Sequence, residues 1–179
     1  MPYHKQKNIL FLHIPKTAGS SVIRYILNEG VGYDDSRQTT DPTDVNKNIE
    51  LIKERDEKYN ISLQHLTFKQ IKELYNDIID WNSLFTFTFV RNPYTRFLSQ
   101  FSFANRGIKP REDNKWPLKD YLYKIKENYR NNKYDNHLVP QNEFLFFQGK
   151  NISNFIGRFE NFEESFYKIC HKLNIDLTM

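Results

Sequence analysis

Two short stretches concentrate the side chains that can do chemistry. HIPKTAGSS, His13 to Ser21, gathers an ammonium (Lys16), three hydroxyls (Thr17, Ser20, Ser21) and the small residues Ala18 and Gly19. Small residues let an anion approach the backbone, successive N–H groups can point at it, and a nearby cation offsets its charge. The stretch from His13 to Ser21 therefore reads as an anion cradle. The second stretch, VRNPYTRFLSQF, sets Arg91 at a strand end and Ser99 about two helical turns beyond, near enough for both to reach one phosphate. The cradle is not a Walker A motif: GxxxxGK[ST] is absent, the Lys precedes the glycine, and no clear strand ending in a magnesium-binding Asp follows. A nucleoside triphosphatase is disfavoured. A kinase-like phosphotransferase on the same cradle would need magnesium-dependent ATP binding.

Both stretches sit in strand-turn-helix patterns. Asn8 to Ile14, NILFLHI, is a short apolar run bounded by Pro15, as expected of a strand buried on both faces of a parallel sheet. Ser20 to Asn28 places Val22, Ile23, Ile26 and Leu27 on one helical stripe, with Ser20 or Ser21 as cap and Gly30 as terminator. Val45 to Tyr59 reads as a charged helix, and Ile61 to Gln64 as a short strand leading into His65. Thr67 caps a helix with Phe68, Ile71, Leu74 and Tyr75 inward. LFTFTFV, Leu84 to Val90, alternates Phe with Thr, a strand signature. Asn92 and Pro93 then start a helix with Tyr94, Phe97, Leu98 and Phe101 on one stripe and Ser99 off it. Pro117 to Asn131 reads as a helix, Asn154 to Phe159 as a strand, and Phe162 to Leu173 as a helix with Asn161 and Glu164 in a capping box. Strands alternating with helices predict an α/β fold, a P-loop-like three-layer sandwich whose mostly parallel central sheet is flanked by helices.

Composition sets outer limits. The chain has 179 residues, 39% apolar and 16% aromatic, with 15 Phe and 11 Tyr, so large side chains are available for a core and disorder throughout is excluded. Gly30 to Asn48 and Asn105 to Lys115 are poor in apolar residues and read as long loops within one domain spanning 1–179. A single cysteine, Cys170, excludes an internal disulfide framework and fits a reducing, cytoplasmic setting; it falls on the apolar stripe of the last helix and reads as core. No run is long and apolar enough for a transmembrane segment. The net charge of +4 favours anionic partners without naming one. Basic residues between Arg106 and Lys133 read first as a solvated helix face and second as an acidic-glycan cleft. No nucleic-acid-binding motif is present, and oligomeric state is open.

HIPKTAGSS followed by FTFVRNPYTRFLSQF resembles the paired signatures of the sulfotransferases that use 3′-phosphoadenosine 5′-phosphosulfate (PAPS). The resemblance is closest to the carbohydrate-type branch that includes heparan sulfate 2-O-sulfotransferase and small bacterial relatives. LQHLTF, HLVPQNEFLF and FIGRFENF add to it, and the resemblance runs from about Ile9 to about Leu173. The resemblance implies in-line transfer of a sulfuryl group from PAPS to a hydroxyl, of a carbohydrate by preference, with no metal. It implies that Pro15, Lys16, Thr17, Ala18, Gly19, Ser20 and Ser21 hold the 5′-phosphosulfate, with Lys16 on the oxygen between phosphate and sulfate. Arg91 and Ser99 would hold the 3′-phosphate. Such a transfer needs a base, and His suits it because its pKa lies near neutrality. LQHLTF resembles the family segment that carries that base, which assigns His65, although Gln64 stands where the family often has Gly. His13 is the rival, expected instead to orient the loop by hydrogen bonding. His137 with Gln141 is a candidate contact to acceptor or donor, and His4 and His171 read as peripheral. Family members usually continue beyond the last helix, which keeps a second class open: a nucleotide- or glycan-binding domain of this fold without transfer activity.

Overall fold

A computed structural model describes residues 2–4, 7–27, 63–105, 117–131 and 136–175. Its centre is a four-stranded sheet in the order β1, β2, β3, β6, formed by Tyr3–His4, Ile9–Leu12, Phe85–Val90 and Phe155–Arg158. β2 runs parallel to β3 and β3 parallel to β6, whereas the edge strand β1 is antiparallel to β2. In register, Ile9 faces Phe85 and Leu12 faces Thr88, so β2 and β3 end side by side. The short helix α5 (Asn142–Leu145) leads into a separate two-stranded hairpin that pairs β4 (Phe146–Phe147) with β5 (Lys150–Asn151). The fold is α/β with a mostly parallel central sheet flanked by helices, as the sequence predicts.

Alternation along the strands decides what covers each face. Leu10 and Leu12 pack on one side against Phe68, Ile71 and Tyr75 of α2 (Phe68–Tyr75). Ile9 and Phe11 pack on the other against Val22, Ile23 and Ile26, and against Ile169 and Cys170 of α6 (Phe162–Lys172). In β3, Phe87 and Phe89 join this second cluster. Thr86 and Thr88 are buried too, and their hydroxyls donate to the carbonyls of Ile152 and Leu12. The Phe-Thr alternation thus encodes a doubly covered strand, because a buried hydroxyl costs little once it has an acceptor.

Several elements differ from expectation. The first helix, α1, begins at Gly19, with Ala18 rather than a serine at the cap, and runs through Val22 into a π-helical turn at Ile23–Leu27. Leu63–His65 is a 3₁₀ turn, not strand. Thr67 caps α2 as expected, through a full capping box with Gln70. Asn161 precedes α6 without a side-chain cap bond, and Glu164 pairs instead with Lys168 one turn on. His4 is buried in β1 rather than peripheral, and its Nδ1 accepts from the Lys7 N–H, so β1 is anchored and not frayed. His171 is exposed. The largest departure is in α3 (Pro93–Ala104): Tyr94 and Leu98 of the expected stripe are exposed, and the buried residues are Arg96 and Gln100. α4 (Leu118–Arg130) packs Tyr121 against Phe97 and Phe101 of α3 and exposes Lys119, Lys124, Lys126 and Arg130, the solvated face. The whole Gly30 to Asn48 stretch, the expected Val45 to Tyr59 helix, Ile61, and the Asn105 to Lys115 stretch beyond Asn105, with Arg106, Lys109, Arg111, Lys115 and also Lys133, lie outside the described residues.

Candidate active site

The parallel strands β2 and β3 deliver their following turns to one edge of the sheet, the place where open α/β sheets bind ligands. After β2 the chain turns sharply. Lys16 and Ala18 both adopt left-handed backbone, at φ 67° and 69°, a strained conformation that L-residues with side chains rarely take. Thr17 is fully buried and its hydroxyl donates to the Ile14 carbonyl (2.8 Å), bracing the turn from inside. Ser20 and Ser21 are exposed in the first turn of α1, where no side chain caps the helix. Gly19 is required by close approach: a Cβ there would lie 1.8 Å from His13 Nε2, so the imidazole of His13 rests directly on the glycine. His13 orients the loop by this packing rather than by the expected hydrogen bond. Its Nδ1 is buried without a hydrogen-bond partner among the described residues, and burial holds its pKa well below the usual value.

After β3, Asn92 caps α3 through Oδ1, which accepts from the N–H groups of Tyr94 and Thr95, and Pro93 takes the first helical position. Arg91 is thereby fixed at the strand end. Its Nη1 donates to the Lys16 carbonyl (3.3 Å), its Nε to Thr95 Oγ1 (3.1 Å), and its guanidinium lies 4.0 Å over the Phe159 ring. The Arg91 peptide is gripped from both sides by Gln141, whose Oε1 accepts from its N–H and whose Nε2 donates to its carbonyl. Gln141 is therefore a backbone clamp on Arg91. Ser99 is half-buried, farther along the same helix.

The histidines assemble behind the turn. His65 Nδ1 lies 3.0 Å from the His13 carbonyl, which can only accept, so the ring proton sits on Nδ1 and the lone pair on Nε2. Asn136 Nδ2 donates to the His65 carbonyl and secures the 3₁₀ turn. Burial pushes the His65 pKa down to about 4, so the ring is neutral at pH 7. Its edge meets the rings of His13 (4.3 Å) and His137 (4.8 Å). The His137 ring stacks on Phe103 (5.5 Å), and Lys16 Nζ lies 4.2 Å over the same phenyl ring. Lys16 and His65, far apart in sequence, are thus joined through Phe103 and His137. Among the described residues no group of three or more His, Cys, Asp or Glu could hold a metal ion, and no helix is long and apolar enough to cross a membrane.

Sequence reasoning missed Arg96, Gln100, Phe103 and Phe159. The first two are the i, i+4 polar pair of an otherwise aromatic-rich helix, and that pairing was the available signal. A stripe count that follows apolar residues alone turns this face outward.

Residues 3–178 match the model of the sulfotransferase family. No curated protein and no solved structure matches the chain. A match over nearly the whole chain, together with a basic turn and an arginine at the ends of adjacent parallel strands, leads to one conclusion: the chain belongs to the sulfotransferase family and transfers sulfuryl groups.

Proposed function

We propose that this sulfotransferase draws its sulfuryl group from PAPS and passes it by in-line displacement to a hydroxyl of a carbohydrate. One observation carries the reading: the turn after β2 and the guanidinium after β3 are hydrogen-bonded to each other, beside a histidine whose proton is held on the nitrogen turned to the His13 carbonyl. The residues fit a doubly phosphorylated nucleotide. Lys16 and Arg91 supply cations, Gly19 brings backbone close, and the exposed Ser20 and Ser21 offer hydroxyls at a helix start without a side-chain cap. PAPS, when bound, supplies an activated sulfuryl group on a leaving phosphate.

Each residue then has one task. Residues Pro15 to Ser21 hold the 5′ end, and Arg91 with Ser99 the 3′-phosphate. Lys16 stabilises negative charge as it builds on the leaving phosphate oxygen, an effect that is large where water is excluded. His65 takes the acceptor proton on Nε2 while Nδ1–H stays on the His13 carbonyl, so the ring can receive a proton without turning. The carbohydrate acceptor is supported by the resemblance to the carbohydrate-type branch. A cleft of about 610 Å³ is lined by Thr67, Lys69, Lys72, Glu143, Phe146 and Phe147, and Thr67 is its residue nearest to His65 in the chain.

A thermal-shift titration with 3′-phosphoadenosine 5′-phosphate, against ADP and Mg-ATP, tests the donor assignment. A ligand at about 100 times its Kd adds roughly 2.7 kcal/mol, several degrees for a domain of this size. Stabilisation by the 3′-phosphorylated nucleotide alone, lost in Arg91→Ala or Ser99→Ala, is the expected result. Equal stabilisation by Mg-ATP, or none by any nucleotide, overturns it.

A further inference from the structure

Arg96 is a buried cation for which the reaction above has no use. Only 8% exposed, it has its pKa lowered by burial to about 10 and so is charged at neutral pH. A buried charge ordinarily pairs with an opposite one, yet among the described residues the hydrogen bonds of this guanidinium all go to backbone carbonyls. Nε donates to Pro15 (3.1 Å), and Nη2 donates to both His137 (2.9 Å) and Val139 (3.1 Å). Pro15 belongs to the turn that carries Lys16, whereas His137 and Val139 belong to a segment more than a hundred residues later. One planar fork therefore ties the donor-side turn to the segment that carries His137.

The next inward residue of α3 acts on the same target. One helical turn beyond Arg96, Gln100 Oε1 lies 2.8 Å from His137 Nδ1. Arg96 thus holds the backbone of His137, and Gln100 its ring. That ring touches His65 on one side and stacks on Phe103, the support of Lys16, on the other. The contacts close a loop running from Arg96 to Pro15 and Lys16, through Phe103 to His137, and back to Arg96. An apolar residue at position 96 would leave three carbonyls to find other donors. A lysine offers a point charge that cannot reproduce the rigid fork.

We infer that Arg96 is a positioning residue, which fixes the separation between the Lys16 turn and the His65–His137 pair and acts through them rather than on substrate. The catalytic half of this inference rests on the proposed transfer reaction; the structural half does not.

The test compares wild type, Arg96→Lys and Arg96→Gln in the full chain. It measures melting temperature, binding of 3′-phosphoadenosine 5′-phosphate, kcat and KM for PAPS, and the side-chain ¹⁵N signals of the histidines. In Arg96→Lys the expected result is a folded protein with nucleotide affinity and KM within about threefold of wild type and kcat lower by about 10²-fold, with displaced His65 and His137 signals. A kcat within about threefold of wild type overturns the inference, as does a fall in kcat matched by an equal loss of nucleotide affinity. Failure of both variants to fold also overturns it, since Arg96 would then determine the fold. If wild type transfers no sulfuryl group, the functional reading fails separately and the histidine spectra decide. Unchanged His65 and His137 signals in Arg96→Lys then overturn the inference, and displaced ones support it.

Discussion

The turns after β2 and β3 solve the same geometric problem in opposite ways. After β3, an Asn and a Pro satisfy the helix start locally, and α3 continues for 12 residues with its side chains available for other tasks. After β2, no side chain caps the helix, two residues with Cβ atoms are held in left-handed backbone, and α1 proper lasts four residues before the π-helical turn. The second turn caps its own helix, and the outside groups that reach it, Gln141 and Glu160, bind the Arg91 and Asn92 backbone ahead of that cap. The first is completed by groups from outside it: the Arg91 and Arg96 guanidiniums on its carbonyls and the His13 ring on Gly19. A turn whose own N–H groups are not taken by a cap is the one suited to an anion, and it needs a rigid neighbour to hold it in place.

Substitutions can break this contrast or sharpen it. The largest effect should come from His65→Ala, with kcat lower by about 10³-fold, equivalent to about 4 kcal/mol of barrier, and nucleotide affinity nearly unchanged. Steady-state kinetics beside a binding titration checks both halves. Lys16→Ala should lower kcat by about 10²-fold, whereas an equal loss from an exposed lysine of α4, such as Lys124, would mean that the first turn has no special electrostatic part.

Acid comes next. Unfolded His65 takes up a proton near pH 6.5, and the folded residue only near 4, so between those values the unfolded state binds more protons and stability rises with pH. The residue should therefore cost about 2 kcal/mol of stability between pH 7 and pH 5, with His13 acting in the same direction. Urea midpoints at the two pH values should lie closer together in His65→Ala than in wild type. The smallest effects compare the two helix starts directly. Asn92→Ala should lose about 1 kcal/mol with its cap bonds. Ala18→Gly should gain roughly 0.5 kcal/mol, because relief of left-handed strain slightly exceeds the added chain entropy. Thermal melts of the two variants, shifting in opposite directions, check the pair.

Much of the frame was legible in the sequence because its signals are local. NILFLHI and LFTFTFV read as buried strands from their composition, and Thr67 and Asn92 as caps from their neighbours. The site was legible only as far as each residue advertised its own chemistry: Lys16, Arg91 and His65 did, and the first two meet through a hydrogen bond. What connects them was not. Arg96 and Gln100 are buried because long-range carbonyl and imidazole partners await them; their i, i+4 spacing marks a shared face but does not name those partners. Apolar periodicity turned that face to solvent for the same reason. The Asn161 cap failed similarly: its spacing was right, but Glu164 found Lys168 within its own helix.

Cys170 gives the molecule an internal clock. Its thiol is fully buried between α6 and the sheet, and burial pushes its pKa up, so in the closed fold it is both unreachable and poorly nucleophilic. A thiol reagent can label it only in the moments when α6 lifts from β6. With reagent in excess, the labelling rate then reads directly how often that side of the sheet comes apart, without denaturant or an engineered labelling site.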